Sequence, residues 1–293
     1  MTGQAPVPNA QPAPSSEVAP SWLTRPSPGP ATPPVEPPKV EKHRGFVAFF
    51  DVLGTREATD PEEFLKRWGI LGKEARKQVE QYGKPGGIAF LFAGLVAMTA
   101  VAAVAGQSPE SSTRAGEAFK ELLRSWGRIR VFGDTVIITW DNDSRAGLFL
   151  LAGVLTTIFN KALGSGLFLR GAVSFGDYWE NEESIVGPAV SDAANWHDEM
   201  DWIGIALTPT AGLQYDPGTD EKDTIVPRRS FVKHDVPFKS KTVPLYSINW
   251  PYHPDAPSRE DLVKLFTARP IPFVAEAKYR HTIEFYDKVT EKR

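Results

Sequence analysis

Residues 46–53 read FVAFFDVL, and Gly54 follows them. The run has the length and aromatic content of a strand buried on both faces of a sheet, and the glycine ends it. One acidic residue, Asp51, interrupts the run. Because an ionised carboxylate buried without a partner is costly, we expect Asp51 either to meet a counter-ion or to lie at the exposed end of the sheet.

A second aspartate lies in a predicted hairpin. Residues 128–140 read RIRVFGDTVIITW, which predicts two short strands around Gly133 and Asp134. If this hairpin pairs beside the first strand, Asp51 and Asp134 converge at one edge with the Val52 carbonyl between them. Such an oxygen-only pocket suits Mg²⁺ or Mn²⁺. Spacing alone leaves two other interpretations open, namely a salt-bridged strand-end aspartate and an ordinary Gly-Asp turn.

Capping residues and apolar periodicity predict the remaining elements up to residue 207. The predicted helices span residues 61–82, 111–126, 144–163 and 187–201, and the further strands span residues 167–176 and 203–207. The order β, α, ββ, α, β, α, β predicts an α+β sandwich, with helices on one face of a largely antiparallel sheet.

Composition restricts the classes of function. The chain has 33 basic and 36 acidic residues and a net charge of −3, so bulk charge predicts no binding to nucleic acid or to an anionic membrane. It has no cysteine, which excludes disulfides, a thiol nucleophile and thiolate metal sites, and fits a reducing cytoplasm. No Walker A sequence and no Ser-His-Asp arrangement is visible. Any metal must therefore be held by oxygen or imidazole ligands.

Three regions lie outside this pattern. Residues 1–40 contain 12 of the 26 prolines and are expected to be a disordered tail without a secretory signal, although a ligand for a proline-recognition domain is an alternative. An apolar insertion near residues 85–110 includes eighteen uncharged residues, 88–105. We expect a buried or interfacial segment there, because a span would separate the two aspartate strands. Residues 211–293 are expected to form a C-terminal extension that packs on a catalytic domain of residues 41–210.

Four segments in order resemble the motifs of class III nucleotidyl cyclases. They read FFDVLGTRE, RVFGDTVIITW, LFLRGAVSFG and SIVGPAVSDAANWH, and the match runs from residue 45 to about residue 207. They look most like the bacterial Pycsar pyrimidine cyclases of anti-phage defence. The resemblance implies a class III cyclase-like sandwich in which Asp51, Val52 and Asp134 hold two Mn²⁺ or Mg²⁺ ions. It also implies that substrate is contacted at the first strand and the turn after it, by Phe49, Leu53, Gly54 and Thr55.

The same resemblance indicates which residues would contact the base and which would stabilise the transition state. Arg130 and Ser184 stand where purine-specific relatives place base-reading residues, which is compatible with a pyrimidine but does not choose between uracil and cytosine. Ser191 and Asn195 stand in the places of a ribose-orienting asparagine and a transition-state arginine. Neither supplies positive charge, which leaves Arg170, Arg56, His197 or the C-terminal third to compensate. From the residues alone, Arg170 also reads as a strand-end ion pair and His197 as a partly exposed helix residue.

These assignments imply a cytoplasmic homodimer that converts UTP or CTP to the 3′,5′-cyclic monophosphate and pyrophosphate. The product would act as a second messenger for a downstream cyclic-nucleotide-sensing effector in anti-phage defence, with no nucleic-acid or membrane partner. Two alternatives stay open. Ser191 and Asn195 favour a catalytically silent, nucleotide-binding regulatory dimer, and residues 88–105 would suit a membrane-associated purine nucleotide cyclase.

Overall fold

The computed structural model describes residues 39–53, 60–82, 127–215, 230–268, 270–271 and 273–291. All of them belong to one compact unit, Lys39–Arg293. The predictions for residues 1–38, for the apolar insertion, for the helix at residues 111–126 and for Gly54, Thr55 and Arg56 lie outside the described residues.

The described strands form one eight-stranded sheet. Its spatial order is β2-β3-β1-β4-β6-β8-β7, and β5 pairs with β4 beside this path. The strands are β1 (Glu41–Val52), β2 (Gly127–Phe132), β3 (Thr135–Trp140), β4 (Leu169–Glu180), β5 (Ile185–Val186), β6 (Gly204–Leu207), β7 (Phe231–Pro237) and β8 (Thr242–Ile248). Among these strands only β4 and β6 run parallel to each other. The predicted α+β class and the largely antiparallel sheet are confirmed.

Six α-helices and two 3-10 turns complete the described fold. The helices are α1 (Pro61–Tyr82), α2 (Arg145–Gly164), α3 (Pro188–Glu199), α4 (Pro209–Tyr215), α5 (Arg259–Thr267) and α6 (Glu276–Thr290), and the turns are Trp250–Tyr252 and Phe273–Ala275. Side-chain caps explain where three of them begin. The carboxylate of Asp60 accepts from the N–H of Glu63, and Ser144 and Ser258 cap α2 and α5 in the same way.

The first strand is covered on both faces. Phe46, Ala48, Phe50 and Val52 belong to the main core, which they share with α1 and α2. The alternate residue Val47 packs with Ala189 of α3 in a second, smaller core. The prediction of helices on one face only was therefore wrong. Since side chains of a strand alternate between faces, an apolar strand flanked by two others must be covered on both.

The described residues after position 210 include two strands that continue the same sheet. β8 pairs with β6 where Ser247 lies opposite Ala206, and β7 forms the edge beyond it. Helix α6 lies beside the beginning of β6, because the hydroxyl of Thr282 accepts from the N–H of Ile203, the residue before that strand, at 2.9 Å. These contacts fix the connection between α3 and β6. The backbone of this connection takes part in the candidate site described below.

One described helix, α2, is long and apolar enough to cross a membrane by length and composition. Of the 18-residue apolar stretch in this helix, 72% is buried inside the fold. Buried core helices meet the same criteria of length and composition.

Candidate functional site

Asp51 and Asp134 lie at the same edge of the sheet. In the antiparallel register Asp51 is opposite Thr135 on β3 and opposite Arg170 on β4. The N–H of Val52 donates to the carbonyl oxygen of Asp134 at 3.2 Å, so the hairpin tip lies directly beside the end of β1. The structure thus brings together the three residues that the sequence analysis placed at a metal site.

The carboxylate of Asp51 has a counter-ion on each oxygen. Arg170 donates from Nη2 to Oδ2 at 3.1 Å and from Nε to Oδ1 at 3.4 Å. The Nε2 atom of His197 lies 3.7 Å from Oδ2. Burial opposes ionisation of this carboxyl, but His197 and Arg170 outweigh it and hold the pKa of Asp51 below its usual value. Asp51 is therefore ionised at neutral pH.

Arg170 is itself held in place by the backbone. Its side chain is 9% exposed, and Nη1 donates to the carbonyl oxygens of Asp198 at 3.0 Å and Met200 at 3.2 Å. These two carbonyls belong to the end of α3 and the connection to β6. The expected strand-end ion pair exists, and it joins β4, β1 and the end of α3 at one point.

His197 belongs to this cluster, although it was expected to be partly exposed. Its side chain is 11% exposed, and its ring lies against Phe49 with 4.6 Å between the ring centroids. Nδ1 donates to the carbonyl oxygen of Ala194, which directs Nε2 toward Asp51. Ala189, Ala193 and His197 are the buried residues of α3. Their four-residue spacing is the sequence signal that could have placed His197 on the sheet-facing side.

Arg130 and Ser184 meet at a different part of the same face of the sheet. Arg130 donates from Nη1 to Glu180 and from Nη2 to the carbonyl oxygen of Asn181, both at 2.6 Å. The side-chain oxygen of Asn181 accepts from the N–H of Ser184 at 2.7 Å, and the N–H of Asn181 donates to the carbonyl oxygen of Ser184 at 3.0 Å. The guanidinium thus lies against the turn that carries Ser184.

Glu180 is a residue that the sequence analysis missed. Its side chain is 1% exposed, and its two oxygens accept from Arg128 and Arg130. A buried carboxylate with two guanidinium partners holds Arg130 in a fixed orientation. No local pattern marks Glu180, because its arginine partners lie about fifty positions earlier in the chain.

The other predicted substrate residues lie in two places. Phe49 and Leu53 lie near the end of β1, whereas Ser191 and Asn195 lie on α3. Phe49 is half-buried against His197, and the N–H of Leu53 donates to the carbonyl oxygen of Phe168 at 2.8 Å. Ser191 and Asn195 are exposed, on the side of α3 away from Ala193 and His197. The described part of the chain does not bring these two residues to Asp51.

The oxygen-bearing residues at the sheet edge have a chemistry that suits a hard divalent cation. They comprise the carboxylates of Asp51 and Asp134 and the nearby backbone carbonyl of Val52, and Mg²⁺ or Mn²⁺ prefers such ligands. Among the described residues, no group of three or more histidine, aspartate or glutamate side chains could hold a metal by itself. A cation at this edge would therefore need further ligands from water or from substrate phosphates.

No protein-family model matches the chain, and no curated protein matches it. Two solved structures overlap most of it. One is the catalytic core of a rhodopsin-guanylyl cyclase with converted specificity in complex with ATPalphaS, at 9% identity, covering 72% of this chain and 97% of that chain. The other is an adenylate/guanylate cyclase/hydrolase from Silicibacter pomeroyi, at 13% identity, covering 75% of this chain and 100% of that chain. Both have a TM-score of 0.43, which establishes neither a shared family nor a shared activity.

Proposed function

We propose that this chain is a Mg²⁺- or Mn²⁺-dependent nucleotide cyclase that converts UTP or CTP to the 3′,5′-cyclic monophosphate and pyrophosphate. The observation that carries the proposal is the pairing of β1 with the β2–β3 hairpin, which brings Asp51 beside Asp134. The ordered resemblance of four sequence segments to class III cyclases supports the same activity.

Cyclisation requires positioning more than a dedicated nucleophile. The ribose 3′-oxygen attacks the α-phosphorus in line, the bond to pyrophosphate breaks, and the hydroxyl proton is released. Asp51, Val52 and Asp134 would hold two divalent cations, which when bound supply charge stabilisation for the attacking and leaving oxygens. The protein's task is to hold these oxygen ligands and its own cation, Arg170, around one phosphate chain.

Arg170 is the group we assign to the phosphates. It is buried, its direction is set by the carbonyls of Asp198 and Met200, and its Nη2 and Nε point along the edge of Asp51. A guanidinium matches the geometry of phosphate oxygens and keeps its charge at all relevant pH values. It can therefore supply the positive charge that Ser191 and Asn195 lack.

We assign the base to the surface beside Arg130 and the turn that carries Ser184. Glu180 and Asn181 engage one nitrogen each of the Arg130 guanidinium, and its other N–H groups can donate to an oxygen acceptor. Both pyrimidines carry the O2 acceptor, so this arrangement supports UTP and CTP alike.

The exposed positions of Ser191 and Asn195 support a head-to-tail homodimer. On α3 they face away from their own sheet, where a second copy could present its nucleotide to them. We place this dimer in the cytoplasm and assign its product to a cyclic-nucleotide-sensing effector in anti-phage defence.

The metal role of the aspartates is tested by conservative substitution. Asp51→Asn and Asp134→Asn should each lower turnover of UTP or CTP at least about a hundredfold, since each removes a charged metal ligand without changing side-chain size. Asp177→Asn is the matched control, because Asp177 pairs with Lys42 and Arg44 elsewhere on the sheet. Turnover retained by both site variants, with circular dichroism showing native structure, would refute the assignment.

A second candidate function is a catalytically silent, nucleotide-binding dimer. The observation that favours it is the Arg170 pair on Asp51, because both carboxylate oxygens already have a cationic partner. Saturable nucleotide binding without pyrophosphate release at high protein concentration would support this candidate, and any turnover that depends on Asp51 would exclude it.

A further inference from the structure

The ion pair between Arg170 and Asp51 lies where a metal is proposed to bind. Both carboxylate oxygens accept from the guanidinium, and Arg170 is 9% exposed. A cation that arrives alone must either displace this guanidinium or bind beside its positive charge. Removing a partner from a buried pair leaves an uncompensated charge, which is strongly unfavourable.

The anchoring of Arg170 allows its guanidinium to leave Asp51 and still keep other partners. Nη1 is fixed by the carbonyls of Asp198 and Met200, whereas Nη2 and Nε are the atoms that contact Asp51. Nη2 also lies 3.7 Å from Oδ1 of Asp198, an exposed carboxylate. Because Nη1 keeps its two backbone acceptors, the guanidinium can exchange Asp51 for another anion without losing all of its partners.

The charges around Asp51 point to the anion that would cause this movement. The guanidinium of Arg170 faces Asp51 from β4 and offsets its charge, so a free divalent cation would meet a positive charge at this carboxylate. A triphosphate brings several negative charges and takes over the guanidinium, which frees Asp51 for the metal that the phosphates carry.

We propose that Arg170 is the resident counter-ion of Asp51 and that a divalent cation binds there together with the triphosphate rather than before it. This inference rests on the proposed function, because it assumes that a metal-nucleotide complex is the substrate. Arg170 thereby keeps Asp51 neutralised and ordered in the nucleotide-free protein, and it couples occupation of the metal site to occupation of the substrate site.

The test is a titration of the full chain with Mn²⁺, followed by electron paramagnetic resonance, in the absence of nucleotide. Arg170→Gln should bind free Mn²⁺ at least about tenfold more tightly than the wild type, because a positive charge beside the site is gone. Adding Asp51→Asn to this variant should abolish the gain. Arg259→Gln is the matched control, since Arg259 makes the same two-point contact with Asp287 through Nε and Nη2.

Equal Mn²⁺ affinity in the wild type and Arg170→Gln would overturn the inference. A second measurement needs no variant: saturating α,β-methylene-UTP, which cannot release pyrophosphate, should raise the Mn²⁺ affinity of the wild type at least about tenfold. An unchanged affinity would overturn the inference too. The two proposals fail in different measurements. Turnover of UTP or CTP together with unchanged Mn²⁺ affinities would reject only the counter-ion role of Arg170. The expected changes in Mn²⁺ affinity without any turnover would reject only the proposed function.

Discussion

Replacing Glu180 by glutamine should destabilise the fold far more than an ordinary charge removal. The glutamine keeps the size of the side chain but removes the charge that faces Arg128 and Arg130. Arg128 has a side chain that is 41% exposed and can regain water, whereas that of Arg130 is 14% exposed and regains far less. One guanidinium is thus left buried without a counter-ion, for which we expect a loss of about 3 kcal/mol in the free energy of unfolding.

Urea unfolding followed by tryptophan fluorescence measures this loss, and thermal unfolding should show a decrease of about 10 °C in Tm for a folded unit of this size. Asp177→Asn provides the comparison on the same strand. Asp177 is more exposed and pairs with Lys42 and Arg44, so replacing it should cost far less stability than replacing Glu180.

A double variant separates the lost charge pair from other effects. Replacing Arg130 by methionine in the Glu180→Gln protein removes the stranded charge, so part of the lost stability should return. If Glu180→Gln and Asp177→Asn cost the same small amount, the network is not the buried anchor that its exposure indicates. The orientation assigned to Arg130 would then lose its basis.

Two further predictions concern the C-terminal part of the sheet. Burial, aided by the charge of Lys288, lowers the pKa of His234 to about 4, so this histidine stays neutral when folded but gains a proton when unfolded. Wild-type stability, measured by urea unfolding, should therefore fall as the pH decreases from about 6.5 to about 4, and His234→Leu should flatten this dependence; parallel curves would contradict the reasoning. Phe285 is fully buried against Trp202 and Trp250, so Phe285→Ala should cost about 4 kcal/mol in a single unfolding transition, and a separate early transition would show that α6 unfolds alone.

Local signals were sufficient for most of the predicted elements. Asp60 followed by Pro61 marks the beginning of α1, and Gly133 with Asp134 marks the turn between β2 and β3. The apolar surroundings of Asp51 predicted either a counter-ion or a place at the exposed end of the sheet, and Arg170 is such a counter-ion.

Contacts between distant parts of the chain could not be predicted in this way. The burial of Glu180 depends on arginines of β2, and that of His197 depends on how α3 lies across β1 and β4. The pairing of β8 with β6 is equally non-local, since α4 and β7 lie between Ala206 and Ser247 in the chain. Such contacts depend on the register of the whole sheet, which no short pattern encodes.

One measurement tests the proposed function most directly. Purified wild-type protein is incubated with Mn²⁺ and each of the four ribonucleoside triphosphates in turn, and the products are identified by mass spectrometry. We predict pyrophosphate and a 3′,5′-cyclic monophosphate from UTP or CTP, with far less from ATP and GTP. Release of neither product from any of the four nucleotides would contradict the account, and preferential cyclisation of a purine nucleotide would refute the role assigned to Arg130 and Ser184.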